Sequence, residues 1–307
     1  TSTAALAFGG TIPPYTAVTE EWTGAGAPIG AWATGGTMNN ARRMLGSAGT
    51  RDSALGFGGT DPGMLALTES YNGTNWTEVN DLNTARRDTR GCGADNTSAL
   101  CFGGNPGPGV GVETEEWNGS NWTEVNDLNT ARAYHGSAGI KTAALCFGGT
   151  GGNSALTEQW NGTNWTEVND LNTARHNMAG SGLYTAALSS GGESPTTGIT
   201  ETWNGTNWTE VNDMNTARRS LAGAGTNTAT LVFGGNTTTI VANTENWNGT
   251  NWVEVADLAT ARAGLGGSGA TAGSTASLAF AGEVPPNTTA SEEWSGSSTV
   301  TKTVSTD

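Results

Sequence analysis

The chain has 307 residues, of which 47 are Gly and 12 are Trp, and only 13% carry charge; it is long enough for a large core but too poor in Lys and Glu for a mainly helical surface. Its 28 acids against 13 bases leave a formal net charge of −15, which repels a phosphate backbone or an anionic membrane and makes nucleic acid a poor partner class. No stretch approaches the roughly 20 apolar residues of a bilayer span, and the first residues show neither a basic start nor an apolar signal core.

The sequence opens inside a repeat, at Thr1-Ser-Thr-Ala-Ala-Leu-Ala-Phe-Gly-Gly, as expected of a processed or partial chain. Gly-Gly pairs then begin at 9, 58, 103, 148, 191 and 234, with Ala281-Gly282 as a degenerate seventh. Seven aromatics keep the same rhythm: Trp22, Tyr71, Trp117, Trp160, Trp203, Trp247 and Trp294. An Ala-Arg pair recurs six times, at Arg42, Arg86, Arg132, Arg175, Arg218 and Arg262. The count predicts seven units, at about 1–40, 41–84, 85–130, 131–173, 174–216, 217–260 and 261–307, the first lacking its opening segment. Units this similar bury their apolar faces only against one another.

Four strands are expected per unit. In the fourth these are a short run from Arg132 to Gly139 (strand a), Ala143 to Phe147 (b), Ala155 to Trp160 (c) and Asn164 to Val168 (d). Asn-Gly between c and d accepts the positive φ of a tight hairpin, and the glycines rule out a helix. Four short antiparallel strands at this period describe a propeller blade, so the predicted fold is an all-β, seven-bladed β-propeller in one domain, its first blade incomplete. The first unit carries Thr23-Gly-Ala-Gly-Ala-Pro-Ile-Gly-Ala-Trp32 in place of the short hairpin, and the last has no second Trp after Trp294. Thr299 to Val304 alternates and is expected to be the outer strand of the last blade, while the inner strand of the first blade would come from beyond the chain or leave a looser closure.

Gly-Gly closing the second strand, an aromatic 11 to 14 residues later, a second Trp after a tight turn, and an Arg opening the next unit together resemble the kelch repeat, including its Arg-x-x-His opening at Arg132-Ala-Tyr-His135. The resemblance covers nearly the whole chain and implies a propeller, while kelch propellers include enzymes, adhesive modules and intracellular scaffolds. The near-identity of the copies is also similar to kelch-like propellers of phage tail or surface proteins.

The recurring arginines would form an anion-binding ring or, more simply, blade-to-blade braces paired with Glu69, Glu116, Glu158, Glu201 and Glu245. The Trp pairs, among them Trp117 with Trp122, Trp160 with Trp165 and Trp203 with Trp208, suit sugar stacking, but their fixed positions favour packing between blades. Asn-x-Thr/Ser triplets follow from turn chemistry. Cys92, Cys101 and Cys146 read as buried small hydrophobes, with a Cys92–Cys101 cross-strand bond as the alternative. Only His135 and His176 are present, no spacing resembles a metal site, and no cofactor is expected; a loop calcium at Asp61 or Asp95 stays open.

Alternating strand direction puts the b–c loops and the d–a connections on one face. There the copies differ, and the candidate ligand-binding residues are Tyr15, Arg43, Met64, Arg87, Tyr134, His176, Arg219 and Ile240, four of which (Tyr15, Met64, Tyr134 and Ile240) are expected to be exposed; unconstrained drift of surface loops is the competing reading. The expected function is a non-enzymatic recognition or structural module on a phage tail or microbial surface, extracellular or in the virion. Its partner would be a host-cell glycan or surface protein, or another virion protein. The alternatives are an intracellular, cytoplasmic kelch scaffold and, last, a propeller hydrolase or lyase with one asymmetric cluster of His, Tyr and acids at the channel mouth.

Overall fold

A computed structural model describes residues 4–10, 16–23, 30–150, 153–269 and 273–296. Its described strands build six four-stranded antiparallel sheets and one separate hairpin. The hairpin is β1 (Ala4–Gly10) with β2 (Thr16–Thr23), and β3 (Ala31–Thr34) follows. Blade I is β4 (Gly46–Gly49), β5 (Ala54–Phe57), β6 (Thr68–Tyr71) and β7 (Trp76–Val79). Blade II is β8 (Arg90–Asp95), β9 (Ser98–Phe102), β10 (Thr114–Trp117) and β11 (Trp122–Glu124). Blade III is β12 (Gly136–Ile140), β13 (Ala143–Phe147), β14 (Thr157–Trp160) and β15 (Trp165–Val168). Blade IV is β16 (Ala179–Leu183), β17 (Ala186–Ser190), β18 (Thr200–Trp203) and β19 (Trp208–Val211). Blade V is β20 (Ala222–Thr226), β21 (Ala229–Phe233), β22 (Thr244–Trp247) and β23 (Trp252–Glu254). Blade VI takes β24 (Gly266–Ser268), β25 (Ala276–Phe280) and β26 (Ser291–Ser295) from the C-terminal part of the chain and β3 from the N-terminal part.

The expected seven blades are therefore six. Innermost strands contact one another in a closed circuit, β4 to β8, β12, β16, β20, β24 and back to β4. Closure comes from β3, which pairs with β26 so that Trp32 lies opposite Trp294, as Trp165 lies opposite Trp160 in blade III. The first unit is thus no blade: its last strand completes the sixth, and among the described strands its hairpin β1–β2 pairs only with itself. The place predicted for Thr299 to Val304 is held by β3, and those six residues lie outside the described ones.

Packing between blades repeats with the period. In five of the six blades the Trp of the outer strand lies edge-on or tilted against a Phe of the preceding blade, as Trp122 against Phe57, Trp165 against Phe102 and Trp208 against Phe147; for Trp252 that place is Ser190. In all six the indole Nε1 donates to a hydroxyl of the preceding blade: Trp76 to Ser291, Trp122 to Thr68, Trp165 to Thr114, Trp208 to Thr157, Trp252 to Thr200 and Trp32 to Thr244, at 3.0–3.2 Å. The ring is packed and its single donor is satisfied, which is the condition for burying Trp.

Each recurring Arg is buried against a Glu of its own blade: Arg42 with Glu69, Arg86 with Glu115, Arg132 with Glu158, Arg175 with Glu201, Arg218 with Glu245 and Arg262 with Glu292. This corrects two expectations, since the side-chain brace is within a blade and the partner in blade II is Glu115 and not Glu116. The link between blades is the arginine's backbone, whose carbonyl accepts from the second Gly of the preceding Gly-Gly pair, as Gly59 N to Arg86 O and Gly104 N to Arg132 O, both 2.9 Å. The first Gly of each such pair has a left-handed φ, and a Cβ at Gly58 would sit 2.6 Å from Arg86 O, so only Gly fits there. Cys92, Cys101 and Cys146 are buried free thiols, so the Cys92–Cys101 alternative falls.

Candidate functional site

The residue two past each recurring Arg adopts a left-handed conformation: Met44, Asp88, Tyr134, Asn177, Ser220 and Gly264 have φ between 53° and 59°. Their amides form a closed circuit. Met44 N donates to Gly264 O, Asp88 N to Met44 O, Tyr134 N to Asp88 O, Asn177 N to Tyr134 O, Ser220 N to Asn177 O and Gly264 N to Ser220 O, at 2.7–3.0 Å. Six hydrogen bonds, one per blade, rim one mouth of the axial channel and hold five non-glycine residues in a backbone region that ordinarily costs about 1 kcal/mol or more each. The six residues all differ, five of them carrying side chains, so a uniform backbone ring carries an asymmetric set of groups.

Isolated bridges tie the residue just before this ring to the start of the neighbouring b–c loop: Arg43 with Thr60, Arg87 with Asn105, His176 with Glu193 and Arg219 with Asn236. The structure thus puts Arg43, Arg87, Tyr134, His176 and Arg219 on the b–c face with Met64 and Ile240, which bridge to Thr60 and Asn236. Met64 is 41% exposed, whereas Tyr134 and Ile240 are half-buried and not the exposed tips expected. Tyr15 lies outside the described residues.

Most of the charge on this face is already matched. Arg219 pairs with Glu193, which also lies 3.5 Å from His176 Nε2; Arg219 and His176 hold the Glu193 carboxyl below the usual carboxylate range. His176 Nδ1 meets Asn153 Oδ1 at 2.7 Å, and its ring stands edge-on to Tyr134. Arg43 pairs with Glu283 at 2.5 Å. Asp61, a calcium candidate, instead accepts from Asn287 Nδ2 at 3.1 Å, and Asp95 caps the amide of Thr97 at 2.8 Å.

The sector between blades I and II differs. Thr60, Pro62, Gly63 and Met64 face Asn105, Gly107 and Pro108 across a cleft of about 420 Å³, with Arg87 at its base, a volume in the range of small-ligand sites. Arg87 meets no loop carboxylate; its Nε lies 3.4 Å from Oδ2 of Asp88 without a hydrogen bond. Asp88 is 1% exposed, and neither carboxylate oxygen has a hydrogen-bond partner. Burial raises its pKa against the opposing pull of a neighbouring Tyr134 hydroxyl and of Arg90, Arg87 and Arg43. Burial and the Asp88 charge push Tyr134 up to about 12.

The axial channel is a poor ligand site: it holds about 80 Å³ of free space between small residues such as Ser47, Ser137, Ser181 and Ser268, room for a few waters. Among the described residues, Arg90 is the one charged side chain lining it. His135 is no acid or base for this mouth, because its ring is buried between the carbonyls of Phe102 and Gly136, 3.2 Å from each, and burial lowers its pKa to about 3. No family model matches the chain, and no curated protein matches it. Among the described residues no three His, Cys, Asp or Glu side chains converge as metal ligands.

Sequence reasoning placed Met64, Arg87 and the variable loops 60–65 and 105–110 on the b–c face but did not join them into one cleft, and it missed Asp88 and Arg90. One signal was available: Asp88 and Arg90 have no counterparts at the matching positions of the other units, where Met44, Tyr134, Asn177, Ser220 and Gly264, and then only Gly or Ala, stand. Leu183 and Tyr184, 41% and 37% exposed at a turn of the opposite face, also escaped notice.

Proposed function

We propose that the chain is a kelch-type propeller acting as a non-enzymatic recognition module, on a phage tail or microbial surface, that grips a glycan or protein with its b–c face. The observation carrying this reading is the cleft between blades I and II, where Met64, Pro62 and Pro108 offer apolar walls and Arg87 a part-exposed guanidinium whose ion pair with Asp88, at 3.4 Å, leaves its donors without a hydrogen bond to that carboxylate. Apolar walls with one directional donor suit a sugar ring, which has an apolar face and an acceptor-rich edge, and equally a peptide turn. Rigid mounting lowers the ordering cost of binding, since the b–c loops are bridged, as Thr60 to Arg43 and Asn105 to Arg87, to the residues that adjoin the amide ring.

The test is retention on an immobilised glycan panel and on bacterial cell-envelope extracts. Arg87→Ala and Met64→Ala should abolish retention, Tyr134→Ala and His176→Ala should weaken it, and Leu183→Ser on the opposite face should leave it unchanged. Retention that survives both cleft substitutions, or that is lost with Leu183→Ser, would sink the assignment of the face.

A further inference from the structure

Six blades need six inner a strands, six b–c hairpins and six outer d strands, yet the described strands supply six, seven and six: β1–β2 is a surplus b–c hairpin. It is a close copy of the hairpin that occupies blade VI. Residues 3–24 and 275–296 are identical at 13 of 22 positions, including Leu6 with Leu278, Phe8 with Phe280, both prolines, Glu20-Glu21 with Glu292-Glu293, and Trp22 with Trp294. The register agrees as well. In β1–β2, Ala5, Leu6, Ala7 and Phe8 lie opposite Trp22, Glu21, Glu20 and Thr19, and in β25–β26, Ser277, Leu278, Ala279 and Phe280 lie opposite Trp294, Glu293, Glu292 and Ser291.

The neighbours of blade VI ask this hairpin for specific groups, and the sequence of β1–β2 carries each of them. Arg262 needs a carboxylate, now Glu292; Glu20 stands in the matching place. Tyr71 donates to Glu293 at 2.5 Å, matched by Glu21. Trp76 donates to the Ser291 hydroxyl, matched by Thr19, and Thr is the residue blades I to V use there. Gly9-Gly10 also supplies Gly where blade VI holds Ala281 at a left-handed φ of 57°. The tether is long enough, because seven residues separate Thr23 from Ala31 and adjacent strands lie only about 5 Å apart.

We propose that the sixth blade is an exchangeable socket, in which β1–β2 takes the place of β25–β26 between β24 and β3. In the exchanged form β1, β2 and β3 run as consecutive b, c and d strands, as in every other blade, and β25–β26 leaves the ring. The two hairpins then compete for one position, and either leaves the other free for an outside contact.

The experiment is a substitution cycle in the full chain, read by denaturant midpoint and by limited proteolysis with mass mapping. Trp203→Ala in blade IV sets the size of an uncompensated loss. Trp294→Ala should lower the midpoint by less than half as much and move the cleavage sites from residues 4–23 to 276–295. Trp22→Ala alone should leave the midpoint unchanged, and Trp22→Ala with Trp294→Ala should fall as far as Trp203→Ala. If the tryptophan variants do not fold, Phe280→Leu, Phe8→Leu and their combination, set against Phe233→Leu, give the same comparison at smaller loss. The rescue should not depend on protein concentration, because the hairpin belongs to the same chain. A Trp294→Ala or Phe280→Leu loss equal to its comparator, additive double variants, or concentration-dependent rescue would overturn the proposal.

Discussion

Glu158 and Asp88 are both carboxylates with about 1% of their surface exposed, and both lie beside arginine. Glu158 is saturated: it accepts from the amides of Asn129 and Thr130, from Asn129 Nδ2 and from Arg132. Asp88 is far less well served: it has the Arg87 guanidinium at 3.4 Å and a neighbouring Tyr134 hydroxyl, and no backbone amide or Asn side chain donates to it. A buried Arg–Glu pair like the first recurs in all six blades, whereas the second arrangement occurs once, at the rim of the channel mouth. A carboxylate repeated with its partners is structural, because a similar ion pair answers the same burial problem in each blade, hydrogen-bonded in five and close at 3.2 Å between Arg218 and Glu245 in blade V. One held by so few partners, in a single copy, has not been optimised for stability, which is the usual mark of a site that meets something else.

The largest test of this contrast breaks the saturated member. Glu158→Gln should destabilise the protein by about 3–5 kcal/mol, because it strands a buried guanidinium, and urea unfolding would measure it. A smaller loss, near that of an exposed pair, would mean the brace is solvated. Next comes His135, another one-off group behind the rim. Its ring stays neutral down to about pH 3 in the fold, against an ordinary imidazole value of 6.5. The unfolded chain therefore takes up a proton that the folded chain refuses, so stability is complete above pH 6.5 and is lost as pH falls toward 3, by up to about 1.4 kcal/mol per pH unit. His135→Met, which copies Met178 of blade IV, should remove that slope in melts taken across the window.

Asp88→Asn should act in the opposite direction and more weakly. A raised carboxyl pKa means that the ionised form burdens the folded state above that value and that the burden fades as pH drops to the ordinary 3.8. The variant, which places at this position the residue that blade IV already carries as Asn177 with a left-handed φ of 58°, should gain about 1 kcal/mol at pH 7 and nothing below pH 3.8. Equal stability at both pH values would show that Asp88 is already satisfied. The smallest effect on stability is expected of Arg87→Ala, within about 0.5 kcal/mol, although the same change should abolish ligand retention.

The blade itself was legible in the letters. Gly-Gly, Asn-Gly and the spaced tryptophans act over a few residues, where φ restrictions and side-chain alternation leave one arrangement, and strands such as Ala143–Phe147 and Trp165–Val168 fall where the pattern put them. The face that gathers the variable loops was legible too, because strand alternation alone sorts loops to two sides. The amide ring was not, since Met44, Tyr134 and Ser220 give no local reason for a positive φ; only the circuit of six neighbours supplies it. The same holds for the pairing of Met64 with Arg87 in one cleft, which depends on how adjacent blades are angled.

By itself, then, the amino-acid order determined what one blade is, and the tertiary structure decided how many there are and where the circle joins. Seven Gly-Gly positions and seven first aromatics count hairpins, which form locally, so they run to seven. A closed ring is counted instead by its inner strands and by the strand that bridges the two ends. Ala31–Thr34 reaches Ser291–Ser295 from the far end of the chain, and that contact exists only because the stacking angle of the sheets brings the sixth blade back to the first.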